Sequence, residues 1–298
     1  MTVVEDITVA PHACTVPVSD EQRWETTVGF LSDGLATGER VMYLDDGGVD
    51  ALLQRLDDDR VPYREALRTG RFEIVPSVLT RTMLQSSAPE MLQIVGGTLA
   101  ETVEKGYPGV RLAGDAGYAL TLPGGGSTML EYEAGLDGVL ASGPGRMLCV
   151  YDRGRYPEDI LQKLRGLHHT EVATPAIYDD SLLRITRTGP ATTRVAGEVD
   201  HSNRPRIKRM LEVALDDALR SHSSSTEITI DLSSLRFLDV AGAVSLVHAA
   251  EEFPSTHRLV LTGVRPGVAR LLDRCGAPFA EQLRVEPRTA VEDPVEER

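Results

Sequence analysis

The sequence predicts an α/β protein built as two successive domains, and three observations carry that prediction. From Ser19 to Leu167, short apolar strand-like runs alternate with segments of helical period, the pattern of helices packed on a mostly parallel sheet. Between Ala173 and Asp180 the rhythm lapses, and Pro175 interrupts it. Beyond that gap the alternation resumes around a sharp strand-to-helix turn, Phe237-Leu238-Asp239-Val240-Ala241-Gly242.

The elements follow in order. Ser19-x-x-Gln22 fits a capping box. Trp24, Val28, Leu31 and Leu35 keep helical spacing, and Gly38 suits the stop. Val41-Met42-Tyr43-Leu44 reads as a buried strand ending at Asp45-Asp46, followed by a helix around Asp50 to Leu56 and the strand Phe72-Glu73-Ile74-Val75. Pro89 opens a helix with Leu92, Val95, Leu99 and Val103 on one side. Val110-Arg111-Leu112-Ala113 is the next strand, ending at Gly114-Asp115. Thr128-x-x-Glu131 is a second capping-box match, leading a helix through Leu140. The strand Met147 to Tyr151 ends at Asp152, and a helix spans about Pro157 to Leu167.

In the second half, Leu182 to Thr186 and Thr193 to Gly197 read as strands. Ile207, Met210, Leu211, Ala214, Leu215, Ala218 and Leu219 form one helical stripe, with Ser202 or Asn203 as cap and Pro205 in the first turn. Ser223-Ser224-Ser225 reads as a surface loop, and Glu227 to Leu232 as a strand. Asp239 then stands where a carboxylate caps free N–H groups at the positive end of a helix carrying Val244, Leu246, Val247 and Ala250. Leu259 to Val264 is a strand, and Gly267 to Asp273 a helix. The acidic tail Val291 to Arg298 is expected to fray.

A net charge of -14 argues against nucleic acid or an anionic membrane as a direct partner. Cys14, Cys149 and Cys275 are widely spaced and form no CxxC motif. With no basic-then-apolar leader and no apolar run of spanning length, a reducing cytoplasm is the expected location.

Gly197-Glu198-Val199-Asp200, the turn Phe237-Leu238-Asp239-x-x-Gly242, the strand Leu259 to Val264 and the helix after it occur in an order that resembles the STAS domain of anti-sigma factor antagonists, over about residues 182–286. The resemblance implies that this half binds an anti-sigma factor of the serine-kinase-like class and so frees a sigma factor. It places the contacts at Asp239, Val240, Ala241 and Gly242, with Asp200 and Ser202 on the adjacent loop. Many such antagonists carry a phosphorylated Ser directly before the turn's Gly. Here that position is Ala241, which has no hydroxyl, so the phosphate switch is expected to be missing. Ser245, one helical turn on, reads as an ordinary helix residue.

Pro11-His12-Ala13-Cys14, Gly34 to Val41, Arg111 to Asp115, Leu130-Glu131-Tyr132-Glu133 and Leu148 to Asp152 together resemble the MEDS domain, over about residues 8–173. The resemblance implies a three-layer domain similar to the RecA and KaiC core that senses a small molecule, and it names neither ligand nor cofactor. A nucleotide-hydrolysing Walker A loop, Gly-x-x-x-x-Gly-Lys-Ser/Thr, needs its lysine to offset phosphate charge. Neither Gly34 to Arg40 nor Pro123 to Ser127, which reads as a flexible turn, supplies one, so no ATPase is expected.

Ligands of open α/β sheets bind beyond the carboxyl ends of the strands. Those ends carry Asp45, Asp46, Asp115, Tyr151 and Asp152, with His12 near the first strand. Asp45 and Asp46 read as helix caps, leaving His12, Asp115, Tyr151 and Asp152 as the ligand-sensing set. His12, Cys14, Cys149, His168 and His169 are chemically able to ligate zinc or iron, and His12-x-Cys14 on a strand points both side chains to one face. Their spacing decides nothing. The cysteines read as small buried hydrophobes and the paired histidines as surface residues, so no metal is assigned.

The leading expectation is a non-enzymatic regulator. Its alternative is a nucleotide- or metal-binding enzyme or sensor built on the N-terminal domain, and a third reading is a scaffold in a signalling assembly.

Overall fold

The computed structural model describes residues 10–189, 191–220 and 226–288. The expected loop Ser223 to Ser225 and the tail from Val291 lie outside them. The chain divides into two compact units between Thr174 and Pro175, each with its own sheet and core.

In the first unit, β1 (His12–Thr15), β2 (Arg40–Leu44), β3 (Phe72–Val75), β4 (Val110–Asp115), β5 (Gly145–Val150) and β6 (Thr170–Glu171) form one sheet in the order β3-β2-β4-β5-β1-β6. Every pairing is parallel. Parallel strands buried on both faces send alternate side chains into two separate cores. Cys14, Met147 and Cys149 face one core, and Ala13, Leu148 and Val150 face the other. On the first face lie α4 (Ser77–Leu84), α5 (Ala88–Glu104), α6 (Gly125–Leu140) and α7 (Glu158–Leu167). On the second lie α1 (Asp20–Ala36), α2 (Val49–Asp58) and α3 (Arg64–Arg68). The expected three layers result.

Ser19 accepts from the Gln22 N–H as predicted, while the Gln22 side chain reaches back to the Val18 N–H. The expected start at Thr128 is corrected: α6 begins at Gly125, so Thr128 lies within it. Along α5 the buried face is Met91, Val95 and Leu99, whereas Val103 is exposed. Helices α3 and α4 and strand β6 carry no clear periodic signal, being only 5, 8 and 2 residues long.

The second unit has β7 (Ala176–Asp179), β8 (Leu183–Gly189), β9 (Thr192–Val199), β10 (Glu227–Asp231), β11 (Leu235–Leu238), β12 (Arg258–Val264) and β13 (Leu283–Pro287). Their order is β13-β12-β10-β9-β8-β7, with β11 continuing along β9. β7, β8 and β9 are antiparallel and the rest parallel. α8 (Arg204–Arg220), α9 (Val240–Glu251) and α10 (Pro266–Arg274) pack Met210, Leu246 and Leu272 onto this sheet. The stretch from Ala173 to Asp180, where the sequence pattern lapses, therefore contains β7. The stripe on α8 also ends early, with Leu219 exposed. Gly197 sits at φ +100°, and a Cβ there would meet the Leu182 carbonyl oxygen at 2.0 Å. This position accepts only glycine, and it lets β9 bend from β10 to β11.

Candidate functional site

The strand-to-helix corner of the second unit is built by capping. Asp239 is extended, and its Oδ1 accepts the Gly242 N–H at 2.6 Å, closing the first turn of α9. Its other oxygen pairs with Arg204, which opens α8. Partial burial works to raise the Asp239 carboxyl, but the Arg204 and Gly242 hydrogen bonds outweigh it and hold it below the ordinary value. Gly242 packs closely, since a Cβ there would stand 2.8 Å from Leu238 Cδ1 and 3.0 Å from Asp239 Oδ1 and would need those side chains to shift.

Beside this corner, Asp200 Oδ1 accepts from the Ser202 N–H and hydroxyl, which lower its pKa. Fully buried Asn203 ties the loop down, accepting from the Asp200 N–H and donating to the Glu198 carbonyl. Arg204 thus joins the two predicted segments. It and Phe237, which is 49% exposed, were missed by sequence reasoning. Strand alternation did not reveal Phe237, because β11 runs buried, exposed, exposed, buried from Leu235 to Leu238 across a register shift. Val240 is 62% exposed and Ala241 half-buried. Ser245 donates its hydroxyl to the Ala241 carbonyl at 2.8 Å, a bond of the helix's own backbone.

In the first unit the carboxylates at the strand ends are gathered as expected, but they are already partnered. Asp45 Oδ1 accepts from the Gly47 and Gly48 N–H groups, capping the approach to α2. Asp46 pairs with Arg81 and Arg155. Asp115 accepts from the Gly117 N–H and the Tyr156 hydroxyl and pairs with Arg23 and Arg155. Burial raises the Asp115 carboxyl despite those two arginines. Asp152 caps its own turn through the Gly154 N–H and lies 4.0 Å from Arg23. Tyr151 is buried.

His12 does not share that rim. It opens β1 opposite Met147, at the amino end of the strand. Its side chain turns onto the face covered by α6, because a strand residue's direction is fixed by parity. There Nδ1 lies 2.9 Å from Asp137 Oδ1, and Nε2 lies 3.1 Å from Glu133 Oε2. Cys149 Sγ lies 3.4 Å from the same Glu133 oxygen and 3.5 Å from His12 Nε2. His168 completes the group. Its ring centroid is 4.1 Å from that of His12, and its Nδ1 is 2.8 Å from the Leu164 carbonyl. The side chain of His168 is wholly buried, which corrects the surface expectation, while His169 is 86% exposed.

Burial opposes charge on His12, but Glu133 and Asp137 outweigh it and raise its pKa. Burial lowers that of His168. Burial, reinforced by the Glu133 charge, pushes the Cys149 thiol well up. Cys14 Sγ stands outside the group, its thiol pushed to about 12 by burial. Glu133 and Asp137 were missed from sequence. The signal was an acid set among Met129, Tyr132, Leu136 and Leu140 on the buried face of one helix.

Fold and sites together define a two-unit α/β protein with a capped, exposed corner in one unit and a buried His–Glu–Cys–His group in the other. The MEDS family model, MEthanogen/methylotroph, DcmR Sensory domain, matches residues 11–169, and the STAS domain model matches residues 184–290. The chain belongs to the MEDS family and carries a STAS domain after it. Among curated proteins none matches significantly. An anti-sigma factor antagonist from Mycobacterium paratuberculosis is similar at 19% identity and a TM-score of 0.28, covering 34% of this chain and 83% of its own. The flagellar accessory protein FlaH from Methanocaldococcus jannaschii is similar at 11% identity and a TM-score of 0.41, covering 62% and 77%.

Proposed function

We propose that this protein is a cytoplasmic, non-enzymatic regulator whose STAS domain binds an anti-sigma factor of the serine-kinase-like class and so releases a sigma factor. The contact surface is the Asp239–Gly242 corner with the Asp200–Ser202 loop, and the MEDS domain supplies the input by sensing a small ligand. What supports the reading is the corner itself: Val240 stands out into solvent above a capped, ion-paired Asp239, with Ala241 at the place where related antagonists carry a phosphoacceptor. Control then comes from ligand-dependent populations of two states, which a coupling of about 1–3 kcal/mol suffices to shift.

Calorimetry with an anti-sigma kinase tests the surface. Asp239→Lys reverses the charge facing Arg204 and is expected to weaken binding, and unchanged affinity removes the corner from the interface. Incubation with the kinase and ATP is expected to leave the native chain unmodified, while Ala241→Ser gains a phosphate. Stoichiometric phosphate on Ser245 of the native chain overturns phosphate-independent control. Turnover of any nucleotide by the purified chain favours the enzyme reading instead.

A further inference from the structure

The buried group on β1, α6, β5 and the residue after α7 has a polarity that hydrogen bonding alone leaves incomplete. A backbone carbonyl only accepts, so His168 Nδ1 carries a proton and donates it to Leu164. Its Nε2 is then a lone pair. That atom is buried, makes no hydrogen bond, and faces a carboxylate oxygen, Glu133 Oε2, at 3.5 Å. In that neutral tautomer, two acceptors confront each other with no proton between them. Protonating His12 satisfies Glu133 and Asp137 but leaves His168 Nε2 as it was. Buried polar atoms in folded proteins find partners, and an unmatched one points to a bound water or ion.

The donor set answers which partner fits. His12 Nε2, His168 Nε2, Cys149 Sγ and Glu133 Oε2 all lie within 4.8 Å of one another. The closer pairs stand 3.1–3.5 Å apart. Bonds of about 2.0–2.3 Å in a tetrahedron set donor separations of roughly 3.3–3.7 Å. Each histidine also donates its second nitrogen outward, His12 to Asp137 and His168 to Leu164, the outer support that orients metal-binding imidazoles. A cavity of ≈ 20 Å³ reaches Glu133 and Cys149 past Met83, Leu84 and Tyr151, room for about one water beside the group.

We propose that His12, Glu133, Cys149 and His168 bind one divalent transition-metal ion, zinc by their mixed nitrogen, sulfur and oxygen chemistry, at the centre of the MEDS domain. Binding releases to solvent the Cys149 proton and the Nε2 proton that His12 carries when charged, and forms the S–metal and N–metal bonds with no change of oxidation state. Asp137 is a positioning residue that holds the His12 ring.

The test uses the full chain, stripped with a chelator and titrated with cobalt(II). One equivalent is expected to produce a thiolate-to-cobalt charge-transfer band with intense tetrahedral d–d absorption, and zinc is expected to displace it. The band should vanish in Cys149→Ser and persist in Cys14→Ser and His169→Ala. Asp137→Asn should weaken zinc binding by about 10–100-fold while keeping the fold by circular dichroism. A folded native chain that shows no such band, or a band that survives Cys149→Ser, overturns the proposal. Because that readout needs no variant, misfolding of the substituted chains does not shield it. Neither result touches the docking test at Asp239, so the metal centre and the regulatory reading fail separately.

Discussion

Asp239 shows how one carboxylate can tie two helix ends together. It caps α9 through Gly242 and anchors Arg204 at the head of α8. Replacing a capping Asp by Ala costs about 0.5–2 kcal/mol, so Asp239→Ala is expected to lose at least that in chemical unfolding of the second unit. Asp239→Asn keeps an accepting oxygen and isolates the charge. The folded carboxyl lies below its unfolded value of about 3.9. Its ionised form therefore stabilises the fold above that value, and the contribution is lost as pH falls through the lower, folded pKa. The gap between the native chain and Asp239→Asn should be full at neutral pH and close in the acid range below about 4. A gap that persists there assigns the stabilisation to shape rather than charge. The cap was legible in the sequence, because capping is local. Arg204 was not, because thirty-five residues separate it from Asp239.

At the scale of elements, α6 and β4 illustrate what periodicity sees and what it misses. The apolar stripe of α6 predicts a buried helix, and the same stripe conceals Glu133 because one acid scarcely alters the period. His168 ends α7 next to exposed His169, so the pair gives no hint of which ring turns inward. The amino ends of β2 and β4 hold a second buried polar group. Arg111 pairs with Glu39 and Asp33, donates to the Phe30 carbonyl at 3.1 Å and lies over the Phe30 ring. Glu39 also accepts from Arg146. Arg111 and Glu39 fall within the fragments that carried the MEDS resemblance, and their contacts are architectural. Removing one member of a buried pair costs about 3–5 kcal/mol. Arg111→Met is accordingly expected to destabilise the first unit by that order in urea unfolding. A loss below about 1 kcal/mol means that Arg146 and the Thr37 hydroxyl suffice to satisfy Glu39.

Over the whole molecule, each unit has its own complete core: one shared by a mixed sheet and three helices, the other split in two by a parallel sheet. Residues 175–298 expressed alone are expected to fold cooperatively, since their core draws nothing from the first unit. An unfolded fragment by circular dichroism contradicts that expectation. Among the described residues no helix is long and apolar enough to cross a membrane. The break between the units was visible as a lapse of pattern around Pro175. Strand β7, just beyond it, was not visible, because an antiparallel strand beside β8 is stabilised by its neighbour's backbone rather than by its own half-exposed side chains.

By itself the sequence determined the two α/β units, the capped corner at Asp239 with an alanine at 241, and the parity that turns His12 and Cys14 to one face. These are local properties, fixed by spacing, capping and alternation along a few residues. Only the tertiary structure decided that His12 leaves the carboxyl-end rim, that His168 turns inward, and that Glu133 and Cys149 meet them. Those encounters join β1, β5, α6 and the end of α7, and strand register and helix rotation, which bring such distant residues together, are set by the packing of the whole core.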